Sequence, residues 1–273
     1  MAVSTRWTVA RRRIRRIDHE HGAGPAGQRI VRVAVISDVH GNLQALEAVL
    51  ADVRDAGLES LWCLGDTVGY GADPDACVEL VREHAEVCLA GNHDLAVTGS
   101  LSTESFSDAA RLAAEWTRGT IKPEHLAFLE TLVPANQDHG VSLFHGSPRD
   151  PVWEYVLAPQ QAERGFSVQR HRVCVVGHTH VALHFHRLDG GSTRGETNHC
   201  DDRLKLGSGD WLVNPGSVGQ PRDGDSRAAW LELDTDSWTI RFRRTPYDIE
   251  RAQAAIRMAG LSESLAERLS YGQ

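Results

Sequence analysis

Five short polar clusters, each at or just beyond the end of an apolar run, constrain this chain more than any other feature. They are SDVHGN at 37–42, GDTVGYG at 65–71, GNHD at 91–94, HGSP at 145–148 and GHTH at 177–180. Together they supply Asp38, His40, Asp66, Asn92, His93, His145, His178 and His180. A lone Asp-x-His in a loop is ordinarily a capped turn, and a lone His beside a strand is ordinarily a hydrogen-bonded core residue. Five such clusters at strand ends of one chain are not explained by capping. The first three follow apolar, β-branched runs at 31–37, 60–64 and 86–90, which read as buried strands. Between them, Leu43, Leu46, Val49, Leu50 and Val53 recur at helical spacing until Gly57, and Asp73-Pro74 opens a second helix over 75–84. Alternating strand and helix predict a parallel, right-handed α/β half whose strand C-termini gather the ligand-binding loops.

Downstream, helical periodicity covers 108–131, with Pro123 near a second helix start. Strands are predicted at 140–144 and 172–176, then a meander at 181–187, 210–213, 227–233 and 238–243. The stretch 189–209 has almost no apolar content and reads as a mobile surface loop. Helical spacing returns over 248–270. Neither a repeat nor a linker is visible, so a single domain is expected over 31–273.

Charge divides the chain. Residues 1–30 hold seven Arg and two acids, a balance of +5, whereas the remaining 243 carry −13. The acidic body argues against a broad nucleic-acid or membrane surface. No run of about 18 apolar residues exists to span a bilayer. The basic head lacks the apolar segment of a Sec or Tat signal. It reads as an anion-binding arm, an amphipathic surface helix, or sequence upstream of a true start at Val31, the last being favoured. Cys63, Cys77, Cys88, Cys174 and Cys200 are scattered without a CxxC pair, which fits reduced thiols and a cytoplasmic location. Cys63, Cys88 and Cys174 lie in apolar runs and are expected to pack in the core.

The ligand set mixes carboxylate, amide and imidazole without thiolate, which suits Mn, Fe, Zn or Co rather than a structural zinc. Two Asp and several His exceed the needs of one tetrahedral ion, so a pair of divalent ions is expected, manganese first in vitro. Two such ions less the charges of Asp38 and Asp66 leave about +2 to hold a phosphate and activate water.

In order and spacing, D-x-H, G-D, G-N-H-D, H and G-H-x-H resemble the signature of the calcineurin-like metallophosphoesterase superfamily over residues 31–247 or so. The segments GDTVGYG, HGSPRDP and NPGSVGQPRDGD look like its compact prokaryotic phosphatase-like branch. The resemblance implies a four-layer α/β/β/α sandwich with two metals at its crest. Carried over, Asp38, His40 and His180 bind one ion, Asn92, His145 and His178 bind the other, and Asp66 bridges them. A hydroxide shared by the ions would attack phosphorus. His93 would donate a proton to the leaving oxygen or stabilise it, and Asp94 would orient His93.

Substrate contacts are less specific. Arg149 and Arg222 lie in loops beside the motifs and are candidates to hold a non-reacting phosphate or carboxylate, while Tyr70 and Tyr155 are candidates to stack on a ring. The segment Asn214-Pro215-Gly216-Ser217 is expected beside the same rim, without an assigned role. No cap domain is visible, so a shallow site for a phosphorylated small molecule or protein is expected. A phosphomonoesterase is the first expectation. The alternatives are a phosphodiesterase acting on nucleotides or dinucleoside polyphosphates, and a catalytically silent scaffold, against which the complete ligand set argues.

Overall fold

Along β1 (Arg32–Ile36) successive side chains enter two different apolar layers, and this alternation sets the architecture. Val33 and Val35 face a core shared by two sheets, while Ala34 and Ile36 face helices. The computed structural model describes residues 32–273. The basic head and the start at Val31 therefore lie outside the described residues.

After β1 come α1 (Leu43–Asp55), β2 (Ser60–Cys63), α2 (Pro74–His84), β3 (Val87–Cys88), α3 (Asn92–Thr98), α4 (Asp108–Thr120) and α5 (Pro123–Leu129). The second half contains β4 (Ala135–Asp138), β5 (Val141–Phe144), α6 (Pro159–Phe166), β6 (Val173–Val176), β7 (Ala182–Arg187), β8 (Arg194–Thr197), β9 (Arg203–Lys205) and β10 (Asp210–Pro215). It closes with β11 (Ala228–Asp234), β12 (Thr239–Thr245), α7 (Ile249–Met258), α8 (Glu263–Glu267) and a 3-10 turn (Arg268–Ser270).

Two six-stranded sheets result, ordered β3-β2-β1-β11-β12-β9 and β4-β5-β6-β10-β7-β8. In the first, β1, β2 and β3 run parallel, and β11 joins β1 antiparallel with Val33 opposite Leu233. In the second, β5, β6 and β10 are parallel, and β7 pairs antiparallel with β10. Trp62, Leu64, Leu143, Val175, Val213, Leu231 and Phe242 fill the layer between the sheets. Cys63 and Trp230 turn outward onto α1 and α2, and Cys174 and Val176 turn outward onto α6. This is the expected four-layer α/β/β/α sandwich.

Local chemistry explains most of the element starts. The Asn42 side chain accepts from the Ala45 amide at 3.1 Å to cap α1, and Ser107 and Asp248 cap α4 and α7 in the same way. Pro74 and Pro123 occupy the first turns of α2 and α5.

One expectation is corrected. Residues 189–209 are not an unstructured loop, because they contain β8, paired with β7, and β9, paired with β12. The segment joins the edge of one sheet to the edge of the other, and Leu206 is buried in the core between them. Backbone pairing at two edges does not require apolar side chains, which is why composition misses it. Among the described residues, no helix is long and apolar enough to cross a membrane.

Candidate metal centre

All five polar clusters converge at one end of the two sheets. Asp38 and His40 follow β1, Asp66 follows β2, Asn92 and His93 open α3, His145 follows β5, and His178 and His180 follow β6. Every one of these side chains is at least 95 % buried. Asp38, His40, Asp66, His178 and His180 have φ between +51° and +66°. Left-handed backbone costs a non-glycine residue about 1–2 kcal/mol, so five such residues in one place are a concentrated strain that the surrounding packing sustains.

The imidazoles are locked by their far nitrogens. His40 Nδ1 donates to the Val68 carbonyl at 3.1 Å, His180 Nδ1 to the Gln220 carbonyl at 2.6 Å, and His145 Nδ1 to the Leu64 carbonyl at 2.9 Å. A carbonyl only accepts, so each Nδ1 carries the proton and each neutral ring turns a bare Nε2 inward. His40 Nε2 and His180 Nε2 consequently face each other at 3.1 Å as two lone pairs. Asp38 Oδ1, itself without a hydrogen-bond partner, lies 3.8 Å from the first and 3.3 Å from the second. On the other side, His145 Nε2 faces Asn92 Oδ1 and His178 Nδ1, each at 3.2 Å. Asp66 Oδ2 stands between the groups, 3.6 Å from His40 Nε2 and 3.5 Å from His145 Nε2.

Converging acceptors without protons between them repel unless a cation lies among them. Neighbouring donors round an ion with bonds of about 2.1 Å are separated by about 3.0–3.4 Å. The spacings of 3.1–3.3 Å match this, and those of 3.5–3.8 Å made by Asp66 and by Asp38 with His40 are slightly wider. The residues therefore fit divalent ions at two clusters, Asp38/His40/His180 and Asp66/His145/His178, with Asn92 joining the second. A third trio, His40/Asp66/His93, overlaps both.

The second carboxylate oxygens fix the geometry. Asp38 Oδ2 accepts from the His178 amide at 3.0 Å, and Asp66 Oδ1 from the His93 amide at 2.8 Å. Asn214 donates to the Gly177 carbonyl at 2.6 Å, and Ser217 Oγ to the Asp38 carbonyl at 2.8 Å. The 214–217 segment is thus a brace under two ligand loops, the role that its sequence left unassigned. Gly177 is required by close approach, since a Cβ there would run into Ser37 and Asp38.

Burial, followed by the neighbouring imidazoles, pushes the pKa values of His40, His93 and His178 well below the ordinary value. Burial also lowers those of His145 and His180. Burial would raise Asp38, but His180 and its neighbours hold it well below the usual range. Asp66 is pushed well above it by burial and by Asp94 and Asp38. Burial thus favours neutral imidazoles, the form that binds metal, and disfavours a charged Asp66 carboxylate unless a cation compensates it.

Two expected contacts are corrected. Asp94 does not hold the His93 ring. Its carboxylate accepts from the amides of Gly91, Val68 and Thr67 at 2.9, 3.1 and 3.3 Å, tying the 65–71 loop to α3. Burial raises its pKa to about 6. Arg149 is paired with Glu154 at 3.0 Å, is 40 % exposed, and does not line the site.

Above the centre lies a cavity of about 310 Å³. Its floor includes Asp66, Asn92, His93, His178 and His180, and its walls include Tyr70, Tyr155 and Arg222. Tyr155 stacks on His178 with ring centres 4.1 Å apart, and Tyr70 lies 4.4 Å from His93. Phe106, Trp153 and Arg268 also line it, and sequence reasoning missed all three. Trp153 stands two residues before Tyr155 and eight after His145, a signal that could have found it. Arg268 has none.

The decisive comparison is with protein families: the model of the calcineurin-like phosphoesterase superfamily domain matches residues 31–236. The chain belongs to this superfamily. A metallophosphoesterase from Sphaerobacter thermophilus has a crystal structure with a TM-score of 0.80 and 42 % identity, covering 90 % of this chain and all of that one. An uncharacterised protein of Methanocaldococcus jannaschii is 38 % identical over 88 % of this chain and 98 % of its own length. A hypothetical protein from Pyrococcus horikoshii shares the fold, with a TM-score of 0.72 at 19 % identity over 89 % of this chain and 99 % of that one. This calcineurin-like phosphoesterase is accordingly a hydrolase of phosphate esters with His/Asp clusters suited to metals.

Proposed function

We propose that the phosphoesterase is a phosphomonoesterase dependent on two divalent transition-metal ions, with a phosphorylated small molecule as substrate. Asp38, His40 and His180 would hold one ion, and Asn92, His145 and His178 the other. Asp66, which stands between the two sets, would serve both. Manganese is the first choice in vitro, because mixed oxygen and nitrogen donors accept it readily. Divalent ions held there supply Lewis-acid charge to phosphoryl oxygens and lower the pKa of solvent enough to furnish a nucleophile near neutral pH.

The chain's own residues do the rest. Arg222 carries the monoester reading. Its Nε is buried without a partner, and its Nη2 donates to Gln220 Oε1 at 2.9 Å, so the guanidinium enters the cavity with no carboxylate among its hydrogen-bond partners. A diester brings one negative charge, whereas a monoester dianion brings two and makes fuller use of this additional cation. His93 stands on the cavity floor, where its ring can meet the departing ester oxygen. Tyr70 packs edge-on against His40 at 4.7 Å and excludes water from that side. The absence of any disulfide among the five cysteines supports a cytoplasmic setting.

Parallel assays of p-nitrophenyl phosphate and its bis-ester with added Mn²⁺ test the reading. The monoester should have at least about tenfold the kcat/KM of the diester. A reversed preference would make the protein a phosphodiesterase.

A further inference from the structure

The cavity contains a second guanidinium that the first phosphate does not need. Arg268 lies in the 3-10 turn after α8, more than forty positions beyond Arg222 in sequence, yet both line the same cavity. Its Nε donates to a main-chain oxygen of Gln273, and its two terminal nitrogens have no hydrogen-bond partner among the described residues. The turn is anchored by Leu265 and Leu269, which pack with Ala113 of α4 and with Tyr70 and Ala72 of the 65–73 loop. That anchoring holds the guanidinium at the cavity wall near Tyr70 and Tyr155.

Arg222 and Arg268 are close enough to repel. Burial first, and then the charge of Arg222, lowers the Arg268 pKa. Two cations kept together in a partly closed cavity, above a floor suited to divalent ions, favour anions between them. One phosphate satisfies the floor and Arg222. Nothing else in the cavity lining is an acid except Asp66, which faces the metal clusters.

We infer that Arg268 is a specificity determinant for a second anionic group, a carboxylate or a further phosphate, carried on the leaving-group side of a small phosphomonoester. The group between the two anions lies along the aromatic wall of Phe106, Trp153 and Tyr155. The 310 Å³ of the cavity accommodates a compact metabolite. This substrate class rests on the phosphomonoesterase reading and narrows it.

Titration calorimetry on the Mn²⁺-loaded protein tests it with non-hydrolysable probes. Methylphosphonate is compared with phosphonoacetate, 3-phosphonopropionate and 4-phosphonobutyrate, which place a carboxylate progressively farther from phosphorus. At least one of the three should bind about tenfold tighter than methylphosphonate. In Arg268→Met that ratio should fall to about one, and in Arg268→Lys it should recover in part. Thermal melting establishes that both variants fold. A ratio near one in the parent protein, or a ratio unchanged by Arg268→Met, would overturn the inference. Hydrolysis of p-nitrophenyl phosphate by the parent protein is the separate control. Its failure overturns the phosphomonoesterase reading itself, and the substrate class with it.

Discussion

At the residue scale, the centre is built from side chains whose freedom has been removed twice. The backbones of Asp38, His40, Asp66, His178 and His180 sit in left-handed conformations, and the far atoms of most of these side chains are tied to main-chain groups. Bare nitrogens and carboxylate oxygens are thereby aimed at common points before any ion arrives. His93 differs. Its Nδ1 is buried without a partner, and it shares a trio with His40 and Asp66, so geometry alone allows either a ligand or a proton donor. Changing His93→Asn should reduce turnover of an alkyl phosphate by about 10²–10⁴-fold while leaving the metal content, read by plasma mass spectrometry, unchanged. Loss of metal in that variant would make His93 a ligand instead. Arg149→Ala should change kcat/KM less than about twofold, because an exposed pair with Glu154 contributes only about 0–1 kcal/mol. A large rise in KM would return Arg149 to the site.

At the element scale, the loops at strand ends carry the candidate ligands, and the 105–107 entry to α4, Ala110 of α4 and the 3-10 turn after α8 contribute to the wall above them. The 189–209 segment illustrates a different use of short elements. Its strands β8 and β9 complete opposite sheets, and Leu206 sits 2 % exposed in the layer between. Leu206→Ala should therefore cost about 2–5 kcal/mol in urea unfolding, whereas a residue in a mobile loop would cost less than about 0.5 kcal/mol. This segment also marks where the sequence is hard to read. The ligand clusters were legible because each is contiguous, follows an apolar run and uses residue types with few other reasons to gather. The strands β1, β2 and β6 were legible because both faces are buried and the runs are continuously apolar. By contrast, β4, β8 and β9 are largely exposed edge elements with no apolar face to betray them. The helix α3 begins inside the GNHD motif, where ligand chemistry masks the helix signal. Arg268 is invisible locally, since its place in the cavity comes from the packing of Leu265 and Leu269 against distant elements.

At the scale of the whole molecule, an acidic body encloses a centre designed for cations and their anionic ligands. Its metal-free form has a pH dependence whose sign is fixed by two opposing groups. The imidazoles, depressed below 6.5, contribute stability that is present above that value and lost as pH falls. Asp66, raised well above 3.8, contributes stability that is present below that value and lost as pH rises through its raised pKa. A bound cation takes the place of the Asp66 proton, so stabilisation by Mn²⁺ should grow as pH rises through the raised Asp66 range. Melting temperatures with and without a chelator across that range check this, and a shift that shrinks with rising pH would contradict it. The central claim, two metal clusters joined through one carboxylate, is tested most directly by metal stoichiometry. After equilibrium dialysis against Mn²⁺, the parent chain should hold two ions per chain and Asp66→Asn should lose both, with circular dichroism reporting an intact fold. A parent chain that holds one ion, or an Asp66→Asn variant that keeps two, would contradict the account.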